Sequence, residues 1–309
     1  MALSQNGAAD VATHLLRVRE AEAGRLDKIH QYMRGEVCRI YVPRSATAEY
    51  RQLVDQSRIN ILPLVVTAVA QNLFADGYRP HRRSENAPAW RIWQANRMDA
   101  RQAGLYRSAL TYGVSYATVL PGVPQPVIRP YSPRQMTAVY EDPIGDEWPI
   151  YALTSTVEHD GRGKTVRRVR LYDETTVYRF VGPVVGGESL DFVGSAEHGL
   201  GVTPVVRWMA GYGDLDNGPH GKVEPLLPLQ DQLQQTTFGL LMAQQYAAFR
   251  QRWVTGMAIE EDENGNPKEP WNAAVDRVWQ SDSPDTKFGD FAETSLDGYL
   301  ASRKATLSI

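Results

Sequence analysis

The amino-acid sequence predicts an α+β fold, and three observations carry that prediction. Apolar residues recur at helical spacing before about residue 113 and again after residue 223. Between about residues 124 and 208 Pro and Gly become frequent and the apolar period falls to two, the signature of half-buried strands. The chain has 309 residues, 42% hydrophobic and 22% charged, enough for one large core or two smaller ones.

Residues 10–34 carry Leu15, Leu16, Leu26, Ile29, Tyr32 and Met33 at helical spacing among many charges. They read as one or two amphipathic helices stopped by Gly35. In "SRINILPLVVTAVAQNLFADGYRP" Asn60 can cap a helix and Pro63 suits its first turn, which predicts a helix over 62–74 ending at Asp76-Gly77. "PAWRIWQANRMDARQAGLYRSALTYG" reads as two helices broken around Asn96 and Asp99, with Gly113 ending the second. "VSYATVL" follows as a short strand. "WPIYALTSTVEHDGRGKTVRRVRLYDETTVYRFV" predicts three antiparallel strands, turning at Gly161-Arg162-Gly163 and at Asp173-Glu174. "PVVRWMA" is a further strand. A Gly-rich loop, "GYGDLDNGPHG", leads into a long helix from Val223. Beyond Thr255 come an acidic turn, "EEDENGNPKE", a strand at "AVDRVWQ" and the start of a helix at "SLDGYLASRKATLSI".

Composition excludes several functions. The net charge is -3 and the isoelectric point about 6.1, so a global grip on nucleic-acid phosphates is not expected. A single cysteine, Cys38, permits no internal disulfide and no thiolate zinc site. The N-terminus lacks the basic start and apolar run of a signal peptide. The most apolar run, "ILPLVVTAVA", falls well short of the roughly 20 residues a bilayer demands. The expectation is a soluble intracellular protein.

The motifs that suggest enzymes fail individually. "GRGKT" resembles the end of a phosphate-binding loop, but Glu158 stands where that motif needs a glycine and a strand-like "VRRVRLY" follows where it needs a helix. A hairpin turn is the better reading. "EEDENG" resembles a calcium loop, but Trp271 occupies the position of the bidentate glutamate. The six histidines (His14, His30, His81, His159, His198 and His220) show no ligand spacing. Arg79, Arg82 and Arg83 in "YRPHRRSE" read as a solvated loop. No nucleophile elbow is present. No catalytic residue, cofactor or metal is expected.

The long helix is the unusual feature. Between Glu224 and Arg250 its one charged residue is Asp231. Leu226, Leu233, Leu240 and Ala247 recur every seven residues, with Leu229, Thr236 and Ala243 on the second seam position. Phe238, Met242, Tyr246 and Phe249 lie opposite, and much of the remainder is glutamine. A helix apolar on two faces and neutral elsewhere is normally buried, yet each buried amide needs partners. In a monomer this would be a central core helix; packing against copies of itself fits the glutamines better and is the expectation, with Leu226, Leu229, Leu233 and Leu240 as the intersubunit seam. By helical phase Gln230, Gln234, Gln245 and Arg252 share about a quarter of the circumference; under the resemblance given below this strip is channel-facing, and the alternative is that it packs against a neighbouring helix.

Four segments in order, "NILPLVVTAVAQNLFADGYR", "WRIWQANRMDARQAGLYRSALTYGVSYATV", "HGLGVTPVVRW" and "EPLLPLQDQLQQTTFGLLMAQQYAAFRQRWVTG", resemble the portal proteins of tailed double-stranded DNA phages of the siphovirus type. The resemblance covers about residues 60–256. It implies a dodecameric ring at one capsid vertex with DNA passing through the centre. It also implies a wing of α/β character over 1–210 and a loop with the first stem helix over 211–252. A clip over 253–291 and the start of a second stem helix over 292–309 complete the implied protomer. The implied partners are double-stranded DNA bound without sequence specificity, the terminase large subunit, the head–tail connector, and the major capsid and scaffolding proteins, with no membrane. The implied location is the virion, after assembly in the host cytoplasm. The chain ends before the channel loop and helical crown of the family: either it is a fragment or those parts are absent. The competing readings are another phage head protein, such as a minor capsid or head-completion protein, and a nucleotide-binding enzyme resting on "GRGKT".

Overall fold

The computed structural model describes residues 2–78, 87–159, 163, 165–184, 189–211, 220–248, 252–256, 284–290 and 295–308. They form two compact units, each discontinuous in sequence: Met1–Val37 with Asn60–Pro228, and Cys38–Ile59 with Leu229–Ile309.

Helix α1 (Gln5–Met33) is a single helix of 29 residues. The Ser4 hydroxyl accepts from the Gly7 amide at 3.2 Å and caps its start. Past its end Gly35 takes a left-handed φ of +69°, which a side chain would strain. The predicted apolar stripe is buried, but in two different cores. Ala8, Ala12, Leu15 and Leu16 pack with Leu153, Val169, Leu171, Tyr178 and Phe180. Leu26, Ile29 and Tyr32 pack with Leu62, Val66, Leu110 and Tyr112. Each such side chain contributes about 1.5–3 kcal/mol when buried, so one helix ties two cores together.

Helix α2 (Ala48–Gln56), which the sequence reading did not anticipate, belongs to the second unit. Helix α3 (Leu62–Ala70) begins where expected and ends four residues before the predicted stop. The cause is tertiary: Gln102 Oε1 accepts from the Ala75 amide at 2.8 Å, drawing the chain away from the helix axis. Helices α4 (Ala87–Ala95) and α5 (Met98–Tyr112) flank the expected break. Arg97 is left-handed there, at φ 54°. The Asn96 side chain donates to the carbonyls of Ile92 and Pro126 and accepts from the Ile128 amide, all at 2.9 Å. Gly113 closes α5 at φ +97°.

Eight strands follow: β1 (Val114–Leu120), β2 (Val127–Tyr131), β3 (Met136–Val139), β4 (Tyr151–His159), β5 (Thr165–Tyr172), β6 (Thr176–Gly182), β7 (Asp191–Glu197) and β8 (Val205–Met209). They build an antiparallel sheet of order β2-β1-β8 and another of order β3-β4-β5-β6-β7. The three strands expected between residues 148 and 181 are β4, β5 and β6. The turn at Asp173 is held by its buried carboxylate, which accepts from the amides of Thr175 and Thr176 at 2.8 and 2.6 Å and from the Tyr178 hydroxyl at 3.1 Å. Strands β4 and β5 pair antiparallel out to His159 opposite Thr165; Gly161, Arg162 and Lys164 of "GRGKT" lie outside the described residues. One face of the five-stranded sheet carries the core against α1. Ala152, Tyr172 and Val177 on its other face pack with Val114, Tyr116 and Val205 of the smaller sheet.

In the second unit helix α6 (Leu227–Ala248) leads to strands β9 (Arg252–Thr255) and β10 (Lys287–Asp290), which pair antiparallel, and to helix α7 (Asp297–Leu307). The acidic turn, the strand expected at "AVDRVWQ" and the arginines at 79, 82 and 83 lie outside the described residues.

Two local interactions invite tests. Asn60 Nδ2 donates to the carbonyls of Tyr32 and Met33 at 2.8 and 3.1 Å, and its Oδ1 accepts from the Leu62 amide at 3.2 Å. One side chain thus closes α1 and opens α3. Asn60→Ala is expected to cost about 1–3 kcal/mol in denaturant unfolding, while Asn60→Asp, which keeps the acceptor alone, retains part of that. His30 Nδ1 lies 3.1 Å from the Tyr112 hydroxyl. Burial, then the charges of Arg134 and Arg34, hold its imidazole below its ordinary value of 6.5. The unfolded chain therefore takes up a proton at higher pH than the folded one. His30 contributes stability above about pH 6.5 that is lost as pH falls through the depressed value. Thermal scans between about pH 7.5 and pH 5 should show a decline in Tm that is shallower in His30→Gln.

Candidate functional site

Helix α6 starts from a single tight turn at Glu224–Leu226, with Pro225 in the turn and Pro228 just inside the helix, positions where a missing amide costs nothing. The Glu224 carboxylate pairs with Arg25 of α1 at 2.9 Å. Leu227 is buried in the core formed with α1, α3 and α5, and Leu226 packs against it.

From Leu229 onward the helix belongs to the second unit, and the segment Cys38–Ile59 covers its first turns. Gln230 Nε2 donates to the Ile59 carbonyl at 2.5 Å. The carboxylate of Asp231 lies 3.9 Å from the Arg39 guanidinium. Tyr50 on α2 meets Phe238 edge to face, with ring centroids 5.3 Å apart and planes at 70°. These contacts answer how so long a helix carries so little charge: one of its faces is an internal surface.

The consequence for the predicted site residues is direct. Gln230 and Gln234 are 2% and 3% exposed, so neither presents a surface to a channel. Burial of Gln230 is tolerated because its amide has a carbonyl partner. Gln245, in the same helical phase, is exposed beyond the last of these covering contacts, together with its neighbour Gln244. Arg252 does not extend the helix; it opens strand β9. Leu233 and Leu240 are 1% and 6% exposed, so the heptad stripe is first of all an intrachain core and has no area left there for a neighbouring copy. Leu226 and Leu229 are half-buried. The heptad period reported a stripe that must be covered; it could not report that Leu233 and Leu240 are already covered within the chain itself.

On another side of α6 lies α7. A Cβ at Gly239 would stand 2.8 Å from Tyr299 Cε1, so glycine is what lets the ring sit against the helix. On α7 Leu300 and Leu307, one heptad apart, are 49% and 51% exposed. The remaining exposed surface of α6 includes Gln232, Gln235, Gln244 and Gln245. In the β9–β10 ribbon the Trp253 ring lies over Gly289, where a Cβ would fall 2.4 Å from Cζ2, and Trp253 and Phe288 are exposed. Among the described residues no group of three or more His, Cys, Asp or Glu could hold a metal ion, and no helix is long and apolar enough to cross a membrane.

This geometry offers docking surfaces. In comparison with known proteins, the family model described as phage portal protein, SPP1 Gp6-like, matches residues 13–305. No curated protein matches significantly.

The burial of Leu233 sets an expectation for the isolated protomer. Leu233→Ala should lower its unfolding free energy by about 2–5 kcal/mol, because a fully buried leucine leaves a cavity. Leu300→Ala, on an exposed position of α7, should change it little. Denaturant unfolding of dilute monomer separates the two.

Proposed function

The chain belongs to the phage portal protein family of the SPP1 Gp6-like type, and from that membership we propose that it forms a ring at one vertex of the capsid. Double-stranded DNA is packaged and ejected through the axial hole of that ring. The observation that carries this reading is the span of the family match, from within α1 to the last turns of α7. The first compact unit corresponds to the wing. Helices α6 and α7 of the second unit correspond to the stem, and the β9–β10 ribbon to the clip, where the terminase motor and later the head–tail connector dock. The role is structural, and ATP hydrolysis comes from the motor.

Two features support the assembled form. The apolar pair Leu300 and Leu307 stands exposed on α7, an arrangement that suits the stem helix of a neighbouring copy. The exposed residues toward the end of α6 are the amides Gln244 and Gln245, which offer hydrogen bonds to passing DNA without ion pairing. A basic wall would hold phosphates and slow translocation. The channel-facing role passes from Gln230 and Gln234 to Gln245.

Mass photometry and negative-stain imaging of the purified chain should show rings with an axial hole. In Gln245→Lys the rings should persist, because an exposed ammonium stays hydrated, and DNA should be retained in them more strongly at low salt than at high salt. Gln234→Lys buries an unpaired charge and should unfold the protomer instead. A chain that stays monomeric at every concentration, or rings without an axial hole, would overturn the portal reading. Intact Gln245→Lys rings with salt-independent DNA retention would remove Gln245 from the channel wall.

A further inference from the structure

The five-stranded sheet carries a feature that the portal reading leaves unused. Strands β5 and β6 place Arg170 directly opposite Arg179. Their Cα atoms are therefore about 4.5–5.5 Å apart, and like charges directly opposite each other destabilise a sheet. Arg168 lies on the same face as Arg170, roughly 6.6 Å along the strand. Arg168 is paired with Glu158 at 2.7 Å, but among the described residues no carboxylate comes within 4.0 Å of Arg170 or Arg179. Burial raises the Tyr172 hydroxyl beside Arg170 above its ordinary value, so it places no negative charge against the guanidinium.

Three further observations point outward from this pair. The β6–β7 ladder is bulged between Arg179 and Phe180, and bulges re-aim side chains and recur beside functional sites. The residue opposite Arg179 on β7 is Gly194, which leaves open space where a side chain would stand. The arginines line a cavity of about 420 Å³ walled by Leu120 and Pro121 on one side and Val193 on the other. His198 and Glu197 also border it. His198 is already committed, with Nε2 3.0 Å from the Asp173 carbonyl and Nδ1 accepting from the Leu200 amide at 3.3 Å.

We infer that the Arg168–Arg170–Arg179 face of this sheet is a phosphate-binding site. Guanidinium forks from two strands can grip a tetrahedral oxyanion from two sides, and its charge removes the repulsion between Arg170 and Arg179. The arginines stand on inner strands whose backbone is already paired on both sides, so recognition is of a projecting anion rather than of an added peptide strand. The phosphate comes either as a free ion or on a nucleic-acid backbone. The site lies within the first unit and does not depend on ring formation.

The test uses the full chain and the variant Arg170→Gln/Arg179→Gln, with Arg179→Gln alone as a milder second variant and Arg101→Gln, at an exposed position of α5, as control. Circular dichroism checks that each is folded. Inorganic phosphate should raise the Tm of the wild type and of Arg101→Gln above that in chloride at equal ionic strength, and should do so less or not at all in the two sheet variants. Binding of a short DNA duplex, followed by fluorescence anisotropy across salt concentrations, separates the sources. If the phosphate belongs to DNA, the slope of log K against log salt becomes less negative by about 2 in the double variant and by about 1 in Arg179→Gln. If the site takes the free ion, the slope stays unchanged while the Tm response to phosphate remains variant-dependent. No phosphate-specific Tm rise together with an unchanged slope would overturn the inference. So would stabilisation by poly-glutamate but not by phosphate, which would make this a surface for an acidic protein.

Discussion

The architecture of the second unit depends on how α6 is covered. A helix of 22 residues with a single charge cannot expose its whole circumference to water. Gln230, Asp231 and Phe238 meet Cys38–Ile59, a segment 171 residues or more earlier in the chain. The Gln230–Ile59 hydrogen bond makes burial of an amide tolerable, and Tyr50 against Phe238 adds an aromatic contact. Because the first turns are satisfied within the protomer, the exposed surface shifts to the last turns of α6 and to α7. The scarcity of charge along the helix thus has two causes at its two ends. In the first turns neutrality permits burial, and toward the end it leaves an amide surface.

Helix α1 is the corresponding spine of the first unit. Its early turns cover one face of the five-stranded sheet and its late turns join the helical core around α3 and α5. Polar groups hold these pieces in register where apolar contacts alone would leave them free to slide. Asn60 links the end of α1 to the start of α3, Asn96 fixes the turn between α4 and α5 against β2, and Asp173 locks the β5–β6 turn. Such satisfied buried groups specify geometry more than they add stability.

Charge is distributed with the same economy. The net value of -3 hides a local concentration of arginine on one face of a sheet whose other face is core. Arg170 and Arg179 stand opposite each other because the antiparallel register places them there. The exposed α6 surface carries amides while this face of the sheet concentrates guanidinium groups.

Much of this protein was legible in local sequence. The stripe of Leu15, Leu16, Leu26, Ile29 and Tyr32, the caps at Asn60 and Gly113, the break at Asn96 and the turn at Asp173 all depend on residues within a few positions of one another. Local φ/ψ preference and hydrogen bonding express themselves at that range. The strand that follows "GRGKT" was legible for the same reason, since its residues alternate. The short strands β2, β3 and β7 were missed because four to seven residues, interrupted by Pro130 in β2 and Gly194 in β7, carry little periodic signal until a neighbouring strand pairs with them. The α2 segment was missed because nine mostly polar residues do not announce what they cover. The candidate site was half legible. Periodicity determined that α6 has a stripe requiring burial, but the covering element lies 171 residues away at the Gln230–Ile59 contact. Only the tertiary structure decided that Leu233, Leu240, Gln230 and Gln234 turn inward, because a repeating pattern fixes which residues share a face and carries no information about which distant segment fills it.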